Sequence, residues 1–160
     1  MSFIHHDRKK IEKKCDQVYH TEGMDIANKL LMTCLLPKYQ NAIGLAHNQI
    51  GGTKAVFIAK LSTDPTSDYG GASRKWRAFV NPSIVSKSTE LEESSEGCMT
   101  FPNKENKVMR HTWVEVEHQV KPRHLGVAFT KERFEGFDAV IVQHEIDHLN
   151  GFHIHNQEEK

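Results

Sequence analysis

The sequence predicts an α+β fold: antiparallel or mixed β-sheets packed around a central C-terminal helix, with one further helix near the N-terminus. Three observations carry this. Apolar residues recur at helical spacing near both ends of the chain, at residues 25–36 and 134–150. Between them run segments with the alternating or continuous apolar character of strands. The later helix is apolar nearly all round, which suits a helix enclosed on several sides. Strands in a run with helices at the ends argue for α+β. A chain of 160 residues suits a single domain over 1–160 with a substantial core.

Each element has a local reason. The basic run Arg8-Lys9-Lys10-Ile11-Glu12-Lys13-Lys14 reads as a solvated face. In 25–36, Ile26, Ala27, Leu30, Leu31, Cys34 and Leu35 keep helical spacing, with Asp25 placed to cap and Pro37 to stop. Cys34 is then a core residue. Lys54 to Ala59 reads as a buried strand around Val56, Phe57 and Ile58, and residues 62–73 as a polar loop. Trp76 to Val80 is a second strand, ended by Asn81-Pro82. Segments near 84–93, 106–111 and 113–119 are further strands. In the last, Val114, Val116 and His118 alternate with Trp113, Glu115 and Glu117, a half-buried pattern. The final helix runs from Phe134 to Asn150, with Gly151 as its stop.

Composition narrows the function. Twenty-one basic and 21 acidic residues cancel, so nucleic acid or an anionic membrane is a poor default partner. Cys15, Cys34 and Cys98, odd in number and widely spaced, do not form a disulfide framework. A charged N-terminus and the lack of a long apolar run leave neither signal peptide nor membrane span, so the expected location is the cytoplasm. The Gly-containing stretch 42–52 lacks the closing Gly-Lys-Ser/Thr of a phosphate cradle.

The chemistry is concentrated in Gln143-His144-Glu145-Ile146-Asp147-His148. Residues four apart lie one turn apart on one helix face, so His144 and His148 can share a metal ion. Glu145 is placed to take a proton from water held there. The alternative is a buried helix whose histidines bond to backbone. A third ligand must lie upstream. Ile154 occupies the position where a metzincin needs its third histidine, with His153 and His155 out of register, and too little chain follows for a thermolysin-type glutamate. Cys98, in Glu96-Gly97-Cys98-Met99-Thr100, is the candidate ligand; the alternative is a free cysteine in an exposed loop. His5, His6, His20, His111, His118 and His124 have no mutual ligand spacing.

Three segments in order resemble the motifs of the peptide deformylase family. Ile43-Gly44-Leu45-Ala46-His47-Asn48-Gln49 is similar to G-φ-G-φ-A-A-P/T-Q, Glu96 to Thr100 to E-G-C-φ-S, and Gln143 to Gly151 to Q-H-E-φ-D-H-φ-x-G throughout. The departures lie in the first motif. Ala42 stands for a glycine, His47 for a small residue and Asn48 for Pro or Thr, while Thr100 keeps the hydroxyl of serine. His47 is expected to point away from the site, with a fourth-ligand role as the alternative.

The resemblance implies hydrolysis of the N-formyl group from N-formylmethionyl peptides of nascent chains, releasing formate. It implies Cys98, His144 and His148 as ligands of one divalent metal ion, Glu145 as general base and acid, and Gln49 with the Met99 backbone N–H as oxyanion donors. One thiolate and two imidazoles suit iron, zinc, nickel or cobalt, with Fe(II) the family's usual metal. Phe137, Val140 and Ile141 lie seven, four and three residues before His144 and can line a methionine pocket, with Ile43 opposite; plain core packing is the alternative, above all for Phe137. Backbone pairing beside Gly44 and Ile43 would hold the peptide extended. Asp147 with Arg110 could steady the helix, and Glu96 could orient a ligand, or all three are surface charge. Longer members carry a C-terminal helix that helps them meet the ribosome; this sequence is expected to lack it, like short phage forms, and to act as a monomer. A small zinc peptidase and a structural metal module are the competing readings.

Overall fold

The computed structural model describes residue 4, residues 7–63 and residues 73–160. A single turn, α1 (Arg8–Ile11), precedes the main N-terminal helix, α2 (His20–Cys34). Seven strands follow among the described residues: β1 (Gly44–Ala46), β2 (Val56–Ser62), β3 (Arg74–Lys87), β4 (Leu91–Cys98), β5 (Phe101–His111), β6 (Trp113–Val120) and β7 (Ala128–Glu135). Helix α3 (Gly136–Leu149) closes the regular structure, apart from short 3-10 turns. The fold is α+β, as expected. One sheet has the order β1-β2-β3-β6-β7, and β4 and β5 form a separate two-stranded ribbon. Every pairing between named strands is antiparallel.

The five-stranded sheet is buried on both faces at β1 and β2. On β2, Phe57, Ala59 and Leu61 point into a core shared with Val142, Ile146 and Leu149 of α3. Val56 and Ile58 point into a second core with Ala27, Leu30 and Cys34 of α2. This two-sided burial explains why β2 reads as a continuous apolar run. Phe57 stacks on Phe79 with ring centroids 4.6 Å apart. Each such fully buried side chain contributes about 1.5–3 kcal/mol. Helix α3 meets β1, β2 and β7 on the sheet side and β5 of the ribbon, which is why nine of its residues are buried. It is the central helix that the sequence predicts.

Several boundaries differ from expectation. Helix α2 begins at His20, so Asp25 lies inside it and caps nothing; Tyr19 precedes it with no side-chain cap bond. Its first turn is hidden in the sequence by Gly23, which is needed for close approach: a Cβ there would lie 2.6 Å from Val80 Cγ1. Strand β3 does not stop at Asn81-Pro82 but continues to Lys87 through a register shift between Val80 and Ser83. Asn81 takes a left-handed φ of 51°. Its side chain accepts from Val18 N–H at 3.0 Å and donates to Val18 O at 2.8 Å and Gln119 Oε1 at 2.9 Å. A proline is tolerated where the ladder is interrupted. The expected strand at 84–93 is thus divided between the end of β3 and the start of β4. Strand β7 was not expected, and Phe134 belongs to it; Gly136, with φ 56°, turns the chain into α3. Gly151 ends α3 as expected, at φ 86°. A Cβ on it would lie 3.0 Å from the Glu12 backbone.

Candidate metal centre

His144 and His148 project from α3 one turn apart, and their Nε2 atoms lie 3.2 Å from each other. Cys98, the last residue of β4, places Sγ 3.2 Å from His148 Nε2. The three potential ligand atoms all lie within 4.8 Å of one another. Tetrahedral bonds of about 2.0–2.1 Å to nitrogen and 2.3 Å to sulfur set ligand atoms about 3.3–3.6 Å apart. The triangle therefore fits a divalent cation after a slight opening.

The electrostatics agree with that donor set. Burial opposes ionisation of the Cys98 thiol, but the imidazoles of His148 and His144 hold it well below its ordinary range. Burial likewise disfavours a charged His144, yet its bonds to Cys98 and Glu96 carry it well above its ordinary value. A positive charge is thus wanted where the three atoms converge.

The segment around each donor is fixed by buried polar groups. Glu96 Oε2 accepts from His144 Nδ1 at 2.8 Å. Both Glu96 oxygens also receive the Arg110 guanidinium at 2.7 Å, and Arg110 reaches Asp147 on α3 as well. Arg110, Glu96 and Asp147 are each at most 7% exposed, so these are not surface charges. Burial would raise the Glu96 carboxyl, but Arg110 and His144 pull it down to about 2. The ring orientation of His144 is set by this chain of charges. Gln143 bonds to both the N–H and the C=O of His111 on β5, at 3.0 and 2.9 Å, so it joins the ribbon to α3 as a backbone rung would.

Around the donors lies a cleft of about 710 Å³. Its wall includes Ile43, Gly44, Gln49, Cys98, Met99, Phe137, Val140, Ile141, His144 and Glu145. Of the residues expected to hold metal, catalyse or bind substrate, His148 alone is set behind the wall, with no exposed surface. Tyr39 lines the cleft too, with no prior signal in its polar surroundings. Phe137 serves both readings, packing on the main core and facing the cleft. The Glu145 carboxylate sits against Gly44, where a Cβ would meet Oε1 at 2.2 Å. Burial pushes Glu145 up to about 8, with His144 opposing and Cys98 adding to the rise. Gln49 accepts Ala46 N–H on Oε1 at 2.8 Å, which turns Nε2 toward Thr100 Oγ1 at 3.1 Å and Cys98 Sγ at 3.6 Å.

The departures in the first motif are also placed. His47 Nδ1 accepts from Lys54 N–H at 3.2 Å, and its ring fills the space a Cβ on Gly52 would need. It points away from the donors, as expected. Asn48, 1% exposed, donates both amide hydrogens to backbone carbonyls, those of Ile11 and His148. His118 pairs with Glu132 and the His111 ring faces Ser88 O, so neither joins the cluster; His5 and His6 lie outside the described residues.

Comparison with known proteins gives one family. The polypeptide deformylase family model matches residues 1–160. A peptide deformylase of Thermotoga neapolitana is 30% identical over 148 residues, which are 90% of this chain and 67% of that protein. The chain therefore spans about two thirds of that relative's length. A peptide deformylase from Acinetobacter baumannii, solved with Met-Ala-Ser bound, superposes with a TM-score of 0.74 at 28% identity, covering 93% of each chain. A probable peptide deformylase from Synechococcus phage S-SSM7 gives 0.76 at 26% identity, covering 98% of this chain and 99% of that one.

Proposed function

The chain belongs to the polypeptide deformylase family, and from that membership we propose that it hydrolyses the N-formyl group of peptides beginning with formylmethionine, releasing formate. The observation that carries the reading is the convergence of Cys98, His144 and His148 beside Glu145 and Gln49 in one cleft.

Cys98 Sγ and the Nε2 atoms of His144 and His148 would hold one divalent ion, with Fe(II) the native choice and Zn(II), Ni(II) or Co(II) able to replace it. When bound, the ion supplies Lewis acidity and an activated water. Glu145 takes the proton that the water gives up and passes it to the leaving amine. A carboxyl raised toward neutrality can do both. Gln49 Nε2 and the Met99 N–H donate to the oxygen that gains charge on the formyl carbon; the bond from Ala46 keeps the correct end of the Gln49 amide turned inward. Ile43, Phe137, Val140 and Ile141 take the methionine side chain. Backbone pairing with the peptide falls to Gly44. The Ile43 carbonyl already accepts from Lys60 N–H at 2.7 Å, and alternation along an antiparallel edge strand turns the groups of Gly44 outward.

The natural substrate is the nascent chain, met by a monomer in the cytoplasm, with any ribosome contact transient. Formate release from formyl-Met-Ala-Ser by the Fe(II)-loaded protein under anaerobic conditions is the test. Internal peptide cleavage without formate release would replace the reading by a peptidase.

A further inference from the structure

We propose that Asn48 is a positioning residue for the metal ligand His148, an inference that rests on Cys98, His144 and His148 being the ligands. Asn48 sits in the 3-10 turn His47–Ile50, immediately before Gln49. Its Nδ2 donates to the Ile11 carbonyl at 3.0 Å and to the carbonyl of His148 itself. The His148 carbonyl also accepts from Gly151 N–H at 3.0 Å. It belongs to the last turn of α3, where carbonyls have no partner further along the helix. One amide thus fastens the end of α1, the turn that carries Gln49, and the ligating residue of α3.

The unmet polar atoms extend the argument. Among the described residues, Asn48 Oδ1 and His148 Nδ1 are both buried and without a hydrogen-bond partner. An imidazole that binds metal through Nε2 carries hydrogen on Nδ1, and such a hydrogen is nearly always given to an acceptor that fixes the ring. His144 has Glu96 for this purpose; His148 has no carboxylate. Asn48 Oδ1 is a buried acceptor on the side chain already joined to the same residue. One ordered water shared by the two would satisfy both, since buried polar groups that no protein group meets are normally met by water. Asn48 then sets the backbone position of His148 through Nδ2 and its ring orientation through Oδ1. His144 is oriented by a charge and His148 by a neutral amide, so the net charge at the centre falls by no further unit.

The test measures metal, not turnover. Asn48→Leu keeps the number and branching of the side-chain heavy atoms and removes every polar contact. We expect Co(II) affinity, read by competition with a chromophoric chelator, to fall about 10- to 100-fold. The visible d–d bands of the Co(II) protein should shift. Leu30→Ala, in the separate core on α2, controls for loss of stability and should leave affinity and bands unchanged. Wild-type affinity and bands in folded Asn48→Leu would overturn the proposal. Should that variant not fold, the wild-type protein decides. The His148 Nδ1 proton of the Zn(II)-loaded form should exchange slowly by NMR, and rapid exchange overturns the proposal. Absence of formate release by the wild type would end the deformylase reading and leave these metal readouts standing.

Discussion

Glycine at position 44 is dictated by the carboxylate beside it. Glu145 Oε1 lies only 2.2 Å from where a β-carbon on Gly44 would stand. The carboxylate is buried, so it can clear a β-carbon only by leaving its position. Gly44→Ala should therefore displace the base and lower kcat/KM for formate release by about 100-fold, the usual cost of an ångström-scale misplacement. Gly97→Ala, whose added Cβ would meet nothing within 4 Å, should stay within about twofold. The proton transfer itself is tested at Glu145. Its side chain touches the cleft but is not one of the three clustered ligand atoms. Glu145→Ala should keep the metal, by elemental analysis, and lose about 10²- to 10⁴-fold in turnover. Wild-type turnover in that variant would remove Glu145 as base. Cys98→Ala should lose the metal instead.

At the scale of elements, helix α3 was legible in the sequence because each letter of its motif answers a definite contact. Gln143 replaces a sheet rung, Asp147 meets Arg110, and Gly151 permits both a left-handed turn and contact with Glu12. Strand β7 was not legible. Its half-buried positions alternate as a strand should, but one of them is Glu132, paired there with Arg77 and His118, while Phe129 on the other face is exposed. A charged residue among the half-buried positions erases the period that reveals a strand. The continuation of β3 was hidden for a different reason. Asn-Pro signals a stop, and only the tertiary bonds of Asn81 to Val18 and Gln119 make it a bulge. This gives a prediction. Asn81→Ala loses three hydrogen bonds and keeps a left-handed φ, so it should cost about 2–4 kcal/mol in denaturant unfolding. Asn81→Gly relieves the φ and should recover about 1 kcal/mol of that loss. Equal losses in the two variants would show that backbone strain plays no part.

Across the whole molecule, the donor triangle joins two bodies that differ in how much core they own. The five-stranded sheet is held from both faces by α2 and α3 through two extended apolar clusters. The β4–β5 ribbon has only a small cluster, in which Cys98, Phe101 and Val108 meet Ile11 and Ile154. Its other attachments to α3 are polar: Arg110 to Asp147, Glu96 to His144, and His111 to Gln143. Cys98 ends the ribbon while His144 and His148 belong to α3, so an ion bound among them is a cross-link between the weaker body and the stronger one. Binding to the native state alone stabilises it by RT ln(1 + [L]/Kd), about 4 kcal/mol at a thousandfold excess over Kd. Chelation of the metal should therefore lower the midpoint of thermal unfolding. The loss should also be uneven, because local opening follows local contact density. Amide hydrogen exchange should accelerate most in residues 91–111 and least in β2 and β3, whose apolar partners are untouched. Acceleration spread evenly over ribbon and sheet would mean that the ribbon is held by its own core and polar bonds, and that the ion adds stability without joining the two.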